Sequence, residues 1–160
     1  MDDERSNHIT EHQSSLKSLS GANKRRVKFI VCGEPVAKGR PRVVGNHAYT
    51  PEKTKEQEEK VAWSYRAAHH GFKFDDGVPL RMEVDMYVKI PKGTSKKKAV
   101  LMQGGEIRPA KRVLDVDNGA KLVMDSINGI AYHDDAQIVE IEARKFYSEN
   151  PRTEVLIEEL

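Results

Sequence analysis

The sequence predicts an α+β domain in which helices pack on a mixed sheet. Three features favour this class: strict apolar–polar alternation over residues 80–90, apolar residues at helical spacing over residues 117–127, and two further alternating runs after residue 138. The expected order of elements is β, α, β, α, β, β. A chain of 160 residues is long enough for a single domain with its own hydrophobic core.

The first half of the chain predicts a tail, a strand and a helix. Residues 1–24 hold few large apolar side chains, which is typical of a mobile tail, so the domain is expected over residues 25–160. Alternation over Arg26–Cys32 predicts the first strand. Thr50 is suited to cap a helix and Pro51 to be its first residue, and an apolar stripe at helical spacing follows them.

The second half predicts two helices and three strands. Residues 80–90 carry the strongest strand pattern, and a short helix is predicted over residues 95–103 in the basic stretch that follows. Residues 117–127 predict a helix with one apolar face, ended by an Asn-Gly pair. Alternation over residues 139–144 and 153–157, on either side of a turn, predicts a terminal antiparallel pair of strands.

Opposite charges are segregated along the second half of the chain. Residues 89–112 carry eight positive charges and one negative charge, whereas residues 115–142 carry seven negative charges and one positive charge. Clustered carboxylates repel one another unless a cation lies among them, so the acidic stretch indicates a divalent metal. The basic stretch indicates phosphate. Together the two stretches favour metal-assisted chemistry on a phosphodiester.

Several classes of protein and of site are excluded or disfavoured. The longest apolar runs are too short to cross a membrane, no secretory signal is visible, and one cysteine cannot form an internal disulfide framework. A soluble, cytoplasmic protein is therefore expected, with Cys32 buried in the first strand. An EF-hand is excluded because Ala120 stands where its loop needs glycine, and the histidines lack the spacing of a zinc site.

Paired aspartates are the candidate metal ligands. Asp115 and Asp117 lie two residues apart at the start of the predicted helix, so both can face one cation if the backbone there is extended. Asp134 and Asp135 can fold back beside them. Carboxylates from separate segments suit Mg²⁺, with Mn²⁺ as an alternative. Lys121, one helical turn beyond Asp117, adds positive charge for an anionic transition state.

Each of these residues also has a plainer interpretation. Asp117 alone could cap the helix. The adjacent Asp134 and Asp135 could form only a turn. Lys121 could pair with Asp117 or Asp125 on the helix surface, which adds about 0.3 to 0.5 kcal/mol.

Basic residues form a second group of candidates, expected to contact backbone phosphates. They lie in the Lys38-Gly-Arg-Pro-Arg42 loop and in the basic stretch. The candidates are Lys38, Arg40, Arg42, Lys96, Lys97, Lys98, Arg108, Lys111 and Arg112. A solvated charged surface is the alternative interpretation.

The acidic stretch has a distinctive pattern of residues. It reads Asp115-Val-Asp117-Asn118-x-x-Lys121-x-x-x-Asp125, followed by Asn128-Gly129-Ile130-x-Tyr132-x-Asp134-Asp135-x-Gln137-Ile138. This pattern resembles the signature of the RusA family of Holliday junction resolvases, which is common in bacteria and their prophages. The basic loop and the Tyr49-Thr50-Pro51 helix entry look like the phage-type branch of that family.

The resemblance implies a RusA-like fold and a Mg²⁺-dependent homodimeric endonuclease with no small-molecule cofactor. Such an enzyme makes paired, symmetric nicks in four-way DNA junctions. The matched positions are the catalytic, metal-binding Asp115, Asp117 and Asp135, the essential Lys121 and the additional acid Asp134. Leu114 stands where many members have proline.

Two other functions compete with this one. A non-catalytic DNA-binding protein needs only the basic residues, but clustered aspartates would repel DNA unless a metal neutralised them. A metal-dependent phosphotransferase or glycosyltransferase with an Asp-x-Asp motif would bind a nucleotide, and the sequence has no glycine-rich phosphate loop. Nicking of a synthetic four-way junction with Mg²⁺, and its absence with EDTA, separates the three functions.

Overall fold

The architecture comes from a computed structural model that describes residues 24–39, 51–110 and 114–160, and the backbone of residues 42–44 and 47–49. In chain order the elements are β1 (Arg26–Cys32), β2 (Arg42–Val44), β3 (His47–Tyr49), α1 (Glu52–His69), β4 (Leu80–Lys89), α2 (Lys96–Gln103), α3 (Val116–Ile127), β5 (Ile138–Ser148) and β6 (Arg152–Glu159). A 3₁₀ turn, Asp135–Gln137, precedes β5. The predicted α+β class is confirmed, while the predicted tail lies outside the described residues apart from Lys24.

Four strands form one mixed sheet in the order β1-β6-β4-β5. β6 is antiparallel to both β1 and β4, and β5 is parallel to β4. Tyr87 of β4, for example, lies between Arg152 of β6 and Phe146 of β5. The strand with the strongest predicted alternation therefore occupies an interior position, where its apolar residues are covered and both of its edges are hydrogen-bonded.

The predicted pairing of the last two strands is wrong. β5 and β6 run in opposite directions, but β4 lies between them. The residues that join them, 149–151, cross the end of β4: Ile90 N donates to Ser148 O (3.3 Å), and Gly33 N donates to Pro151 O (2.9 Å). Alternation indicates which face of a strand is buried and does not indicate which strand lies beside it, so the sequence could not distinguish this crossing from a hairpin.

A hairpin is present where the sequence predicts only a basic loop. β2 and β3 form a separate antiparallel pair in which Arg42 lies opposite Tyr49. Strands of three residues are too short to show a recognisable alternation. The start of α1 also differs, because Pro51 occupies the N-cap position instead of the first helical position. The expected cap, Thr50, lies outside the described residues.

One face of the sheet carries the hydrophobic core, and α1 and α3 cover that face. Alternate residues of β4, Met82, Val84 and Met86, are fully buried, as are Tyr65 of α1 and Ile127 of α3. The helix predicted over residues 117–127 is therefore confirmed, together with its apolar face. None of the described helices is long and apolar enough to cross a membrane.

The opposite face of the sheet is polar, and ion pairs join its strands. Arg144 Nε of β5 donates to Asp85 Oδ1 of β4 (2.6 Å), and Lys28 Nζ of β1 lies 3.1 Å from Glu154 Oε2 of β6. Cys32 is exposed, so its predicted burial is wrong. Cys32 is one of the alternate residues of β1 whose side chains are exposed.

α3 lies against β4 at a glycine. A Cβ atom on Gly119 would collide with the side chain of Met86, which is itself buried, and would lie 3.7 Å from Leu114 Cδ2. Because protein interiors are close-packed, this absent side chain lets the helix backbone lie against the sheet. Gly119 therefore determines how deeply α3 is seated.

Gly119→Ala is expected to destabilise the protein by about 1–3 kcal/mol, because overpacking costs more than the gain in helix propensity of about 1 kcal/mol. Gly104→Ala is the matched control, since its added Cβ would make only ordinary contacts, the nearest at 3.4 Å. Thermal unfolding of both variants tests the expectation. A Gly119→Ala variant that melts at or above the wild-type temperature would contradict it.

Candidate active site

The residue two positions before α3, Leu114, packs in the core and is hydrogen-bonded to β5. The side chain of Leu114 is buried, and its carbonyl oxygen accepts a hydrogen bond from Lys145 Nζ (2.7 Å). Asp115 follows in an extended conformation (φ −78°, ψ 121°) at the N-cap position. The helix thus begins at Val116, and the alternative that Asp117 caps it is wrong.

Asp115 and Asp117 present free carboxylates at this end of α3. Both residues are exposed, and no hydrogen bond or ion pair joins either carboxylate to a side chain that the structure describes. Asp117 lies in the first turn of the helix, where the backbone N–H groups favour negative charge. The positive end of the helix therefore offsets part of the repulsion between the two carboxylates.

Asp134 and Asp135 belong to the 3₁₀ turn before β5. Asp134 Oδ1 accepts a hydrogen bond from Ala136 N (2.9 Å), which confirms that this pair forms a turn. The Asp134 side chain also completes a capping box with Gln137. Asp135 is half-buried, and its carboxylate has no partner among the described side chains.

Gln137, absent from the predicted site residues, holds this turn in place. Its side chain is buried, and Oε1 accepts from Asp134 N (3.3 Å) while Nε2 donates to the carbonyl oxygens of Asp75 (2.8 Å) and Val78 (3.1 Å). The turn that carries Asp135 is thereby tied to the loop before β4. The sequence did hold a signal for this contact, because an acid followed three residues later by glutamine is the pattern of a capping box.

Tyr132 relates the turn to the second half of α3. Its ring is fully buried, and its hydroxyl donates to Met124 O (2.8 Å). Burial raises the pKa of Tyr132, and the nearby carboxylates of Asp135 and Asp125 raise it further. The charges of Asp135 and Asp125 therefore both act on this one buried tyrosine.

Lys121 projects from α3 one turn beyond Asp117. Its side chain is 61% exposed, and Nζ lies 3.5 Å from Asp125 Oδ1. The surface pair with Asp125 that the spacing predicts is thus present. The contact is long enough to leave the amine free for another anion.

Asp125 has a second and closer lysine partner in Lys38. Lys38 Nζ bonds Asp125 Oδ2 and lies 3.2 Å from Glu58 Oε1 of α1. Burial lowers the pKa of Lys38, but the hydrogen bonds to Asp125 and Glu58 outweigh this effect and raise the pKa above its usual value. A residue predicted to contact phosphate is therefore engaged with two carboxylates in this structure.

The other predicted phosphate contacts differ in their surroundings. Lys96, Lys97 and Lys98 are exposed at the start of α2 and form no ion pair with a described residue. Arg108 donates to a backbone carbonyl of β5 (2.8 Å), and its guanidinium carbon lies 3.8 Å from the centre of the Phe146 ring. The remaining candidates are Arg42 in β2, and Arg40, Lys111 and Arg112 outside the described residues.

The predicted metal ligands are not gathered at one point. Among the described residues, no three His, Cys, Asp or Glu side chains lie close enough together to hold a metal ion. Asp115, Asp117 and Asp135 nevertheless offer hard carboxylate oxygens, and no described cation pairs with any of them. The chemistry of these donors fits Mg²⁺, which prefers oxygen ligands and retains several waters.

Comparison with known proteins assigns the family. The family described as endodeoxyribonuclease RusA matches residues 33–158. The chain is also similar to a protein of Bacillus subtilis (strain 168) described as uncharacterized protein YqaN: the two are 41% identical over 140 residues, which cover 84% of this chain and 96% of that protein. The predicted resemblance is confirmed, and the chain belongs to the RusA family of endodeoxyribonucleases.

Proposed function

We propose that this protein is a Mg²⁺-dependent endonuclease that resolves Holliday junctions by paired, symmetric nicks. The observation that carries the proposal is the pair of free carboxylates, Asp115 and Asp117, at the N-terminus of α3 with Lys121 one turn away. Family membership supports cleavage of DNA. Exposed, unpaired acids would lower the DNA affinity of a protein that only bound DNA, whereas a metal-dependent nuclease needs them as metal ligands.

Asp115, Asp117 and Asp135 are the proposed metal ligands, and the neighbouring Asp134, which caps the turn, is a proposed assisting acid. The proposed ion is Mg²⁺, with Mn²⁺ as a substitute. When bound, such an ion polarises a phosphoryl oxygen and lowers the pKa of a bound water. The protein holds the two segments that carry these ligands, the start of α3 and the 3₁₀ turn. The buried side chain of Gln137 holds the turn.

Lys121 is the proposed electrostatic catalyst. Cleavage of a phosphodiester builds negative charge on the reacting phosphate, and a positive group fixed beside it lowers the barrier. Lys121 follows Asp117 by four residues on α3, and its Nζ lies 3.5 Å from Asp125 Oδ1. It can therefore turn to the phosphate without breaking a close ion pair.

Four-way junction DNA and a second copy of the chain are the proposed partners. Two incisions at symmetric positions need two active sites, and each chain supplies one set of carboxylates, so a two-fold dimer matches the symmetry of the junction. Backbone phosphates are proposed to lie against basic residues other than Lys121 and Lys38. These residues are Lys96, Lys97, Lys98 and Arg108, together with Arg40, Arg42, Lys111 and Arg112.

Asp115→Asn, Asp117→Asn and Asp135→Asn, each made alone, are expected to lower junction cleavage by orders of magnitude while junction binding is kept or tightened. Each change removes a metal ligand together with negative charge near the DNA. Cleavage with Mg²⁺ and with EDTA, and junction affinity, are measured on the same preparations. Asp76→Asn, an exposed acid before β4, is the control and should cleave normally. Full cleavage by any two of the three site variants would overturn the assignment.

Lys121→Ala is expected to lower the cleavage rate on saturating junction by about 100-fold, the usual effect of removing one group that stabilises transition-state charge. Junction affinity should change far less, since the interaction strengthens only in the transition state. Lys121→Arg, which keeps the charge, should retain more activity than Lys121→Ala. Equal losses in rate and affinity would instead make Lys121 a phosphate-binding residue.

The combined substitution of Lys96, Lys97 and Lys98 by alanine is expected to weaken junction binding and to flatten its dependence on salt. The slope of log affinity against log salt should fall by about 0.9 for each phosphate contact that is lost. Lys28→Ala is the control, because Lys28 is paired with Glu154 on the polar face of the sheet. A slope equal to that of the wild type would show that the DNA does not lie along α2.

A further inference from the structure

We propose that Lys38 is a positioning residue: it occupies the carboxylate of Asp125 and thereby keeps the charge of Lys121 available to the DNA phosphate. The inference rests on the proposed nuclease function. It gives Lys38 a role different from the phosphate contact that its position in a basic loop predicts.

The two oxygens of Asp125 are divided between two lysines. Oδ1 lies 3.5 Å from Lys121 Nζ, whereas Oδ2 is bonded more closely by Lys38 Nζ. Asp125 is only 21% exposed, so water reaches this carboxylate less freely than it reaches the amine of Lys121. If Lys38 were absent, Lys121 would be the remaining described cation beside Asp125, and attraction between opposite charges would draw its amine onto the carboxylate.

Lys38 is held in place by more than its amine. Lys38 N donates to Asn118 O of α3 (3.0 Å), and Gly39 N donates to Thr54 Oγ1 of α1 (3.2 Å). Thr54 is buried, so its hydroxyl is a fixed acceptor. A second carboxylate, Glu58, lies 3.2 Å from the Lys38 amine. The backbone and side chain of Lys38 are therefore docked against both α1 and α3.

Neither stability nor phosphate binding accounts well for this arrangement. The side chains of Lys38, Glu58 and Asp125 are each between one fifth and one third exposed, and ion pairs open to water add little to stability. An amine that is bonded to two carboxylates is also a poor ligand for DNA, because the group as a whole carries net negative charge. The geometry instead supports an effect of Lys38 on the negative charge of Asp125 beside Lys121.

The test compares cleavage rates on saturating junction with Mg²⁺ for single and double variants. Lys38→Met should lower the rate by about tenfold or more, towards the loss in Lys121→Ala. Lys38→Met/Asp125→Asn should restore the rate, because no carboxylate is then left to capture Lys121. Lys38→Met/Glu58→Gln is the matched control: it removes the same charge from a carboxylate that contacts Lys38 but makes no described contact with Lys121, and it should not restore the rate. Lys38→Arg should stay close to the wild type.

Each outcome supports or overturns the inference. Wild-type cleavage by Lys38→Met, or equal recovery in the two double variants, would overturn it. A loss confined to affinity, with the salt slope lower by about 0.9, would make Lys38 a phosphate contact. Thermal unfolding of both double variants distinguishes recovery of the rate from recovery of stability, and Lys38→Gln repeats the series if the methionine variant unfolds. A wild-type protein that leaves junctions intact would instead refute the nuclease proposal itself.

Discussion

The close approach of α3 to β4 governs the position of the whole candidate active site. Gly119 lies against Met86 with no room for a side chain, and β4 is itself held on both edges by β5 and β6. Because a helix is rigid over a few turns, its depth at this point also places Asp115 at the helix entry and Lys121 one turn further on. The packing of Gly119 against β4 thus sets where Asp115 and Lys121 lie relative to the sheet.

The second ligand-bearing segment depends on the same part of the sheet. Asp135 lies in a turn that leads directly into β5, the parallel neighbour of β4. Gln137 ties that turn to the loop from which β4 begins, and Lys145 of β5 holds the carbonyl of Leu114 just before Asp115. The start of α3 and the turn before β5 are therefore both fixed relative to the parallel pair of β4 and β5, although they contact different parts of it.

The acidic residues on the polar face of the sheet and those at the start of α3 differ in their partners. On the polar face of the sheet, acids such as Asp85 and Glu154 are paired with basic side chains on their own or neighbouring strands, so their charge is already neutralised. Asp125 likewise has two lysine partners. Asp115 and Asp117 have none among the described residues, and the helix N-terminus offsets part of the repulsion between their charges. Two free acids of this kind are the oxygen donors that a divalent cation prefers.

The amino-acid sequence by itself determined the features that depend on neighbours along the chain. Alternation predicted β4 and helical spacing predicted α3, because burial repeats with the period of a strand or helix. The motif from Asp115 to Ile138 predicted the family through its resemblance to a known signature. The tertiary structure alone decided the strand order, in which β4 separates β5 from β6, and the partners of Lys38. Lys38 and Asp125 are 87 positions apart, so no local pattern at either residue indicates that they meet. Which distant faces come into contact depends on how the sheet and helices pack together, and that information is spread over the entire core.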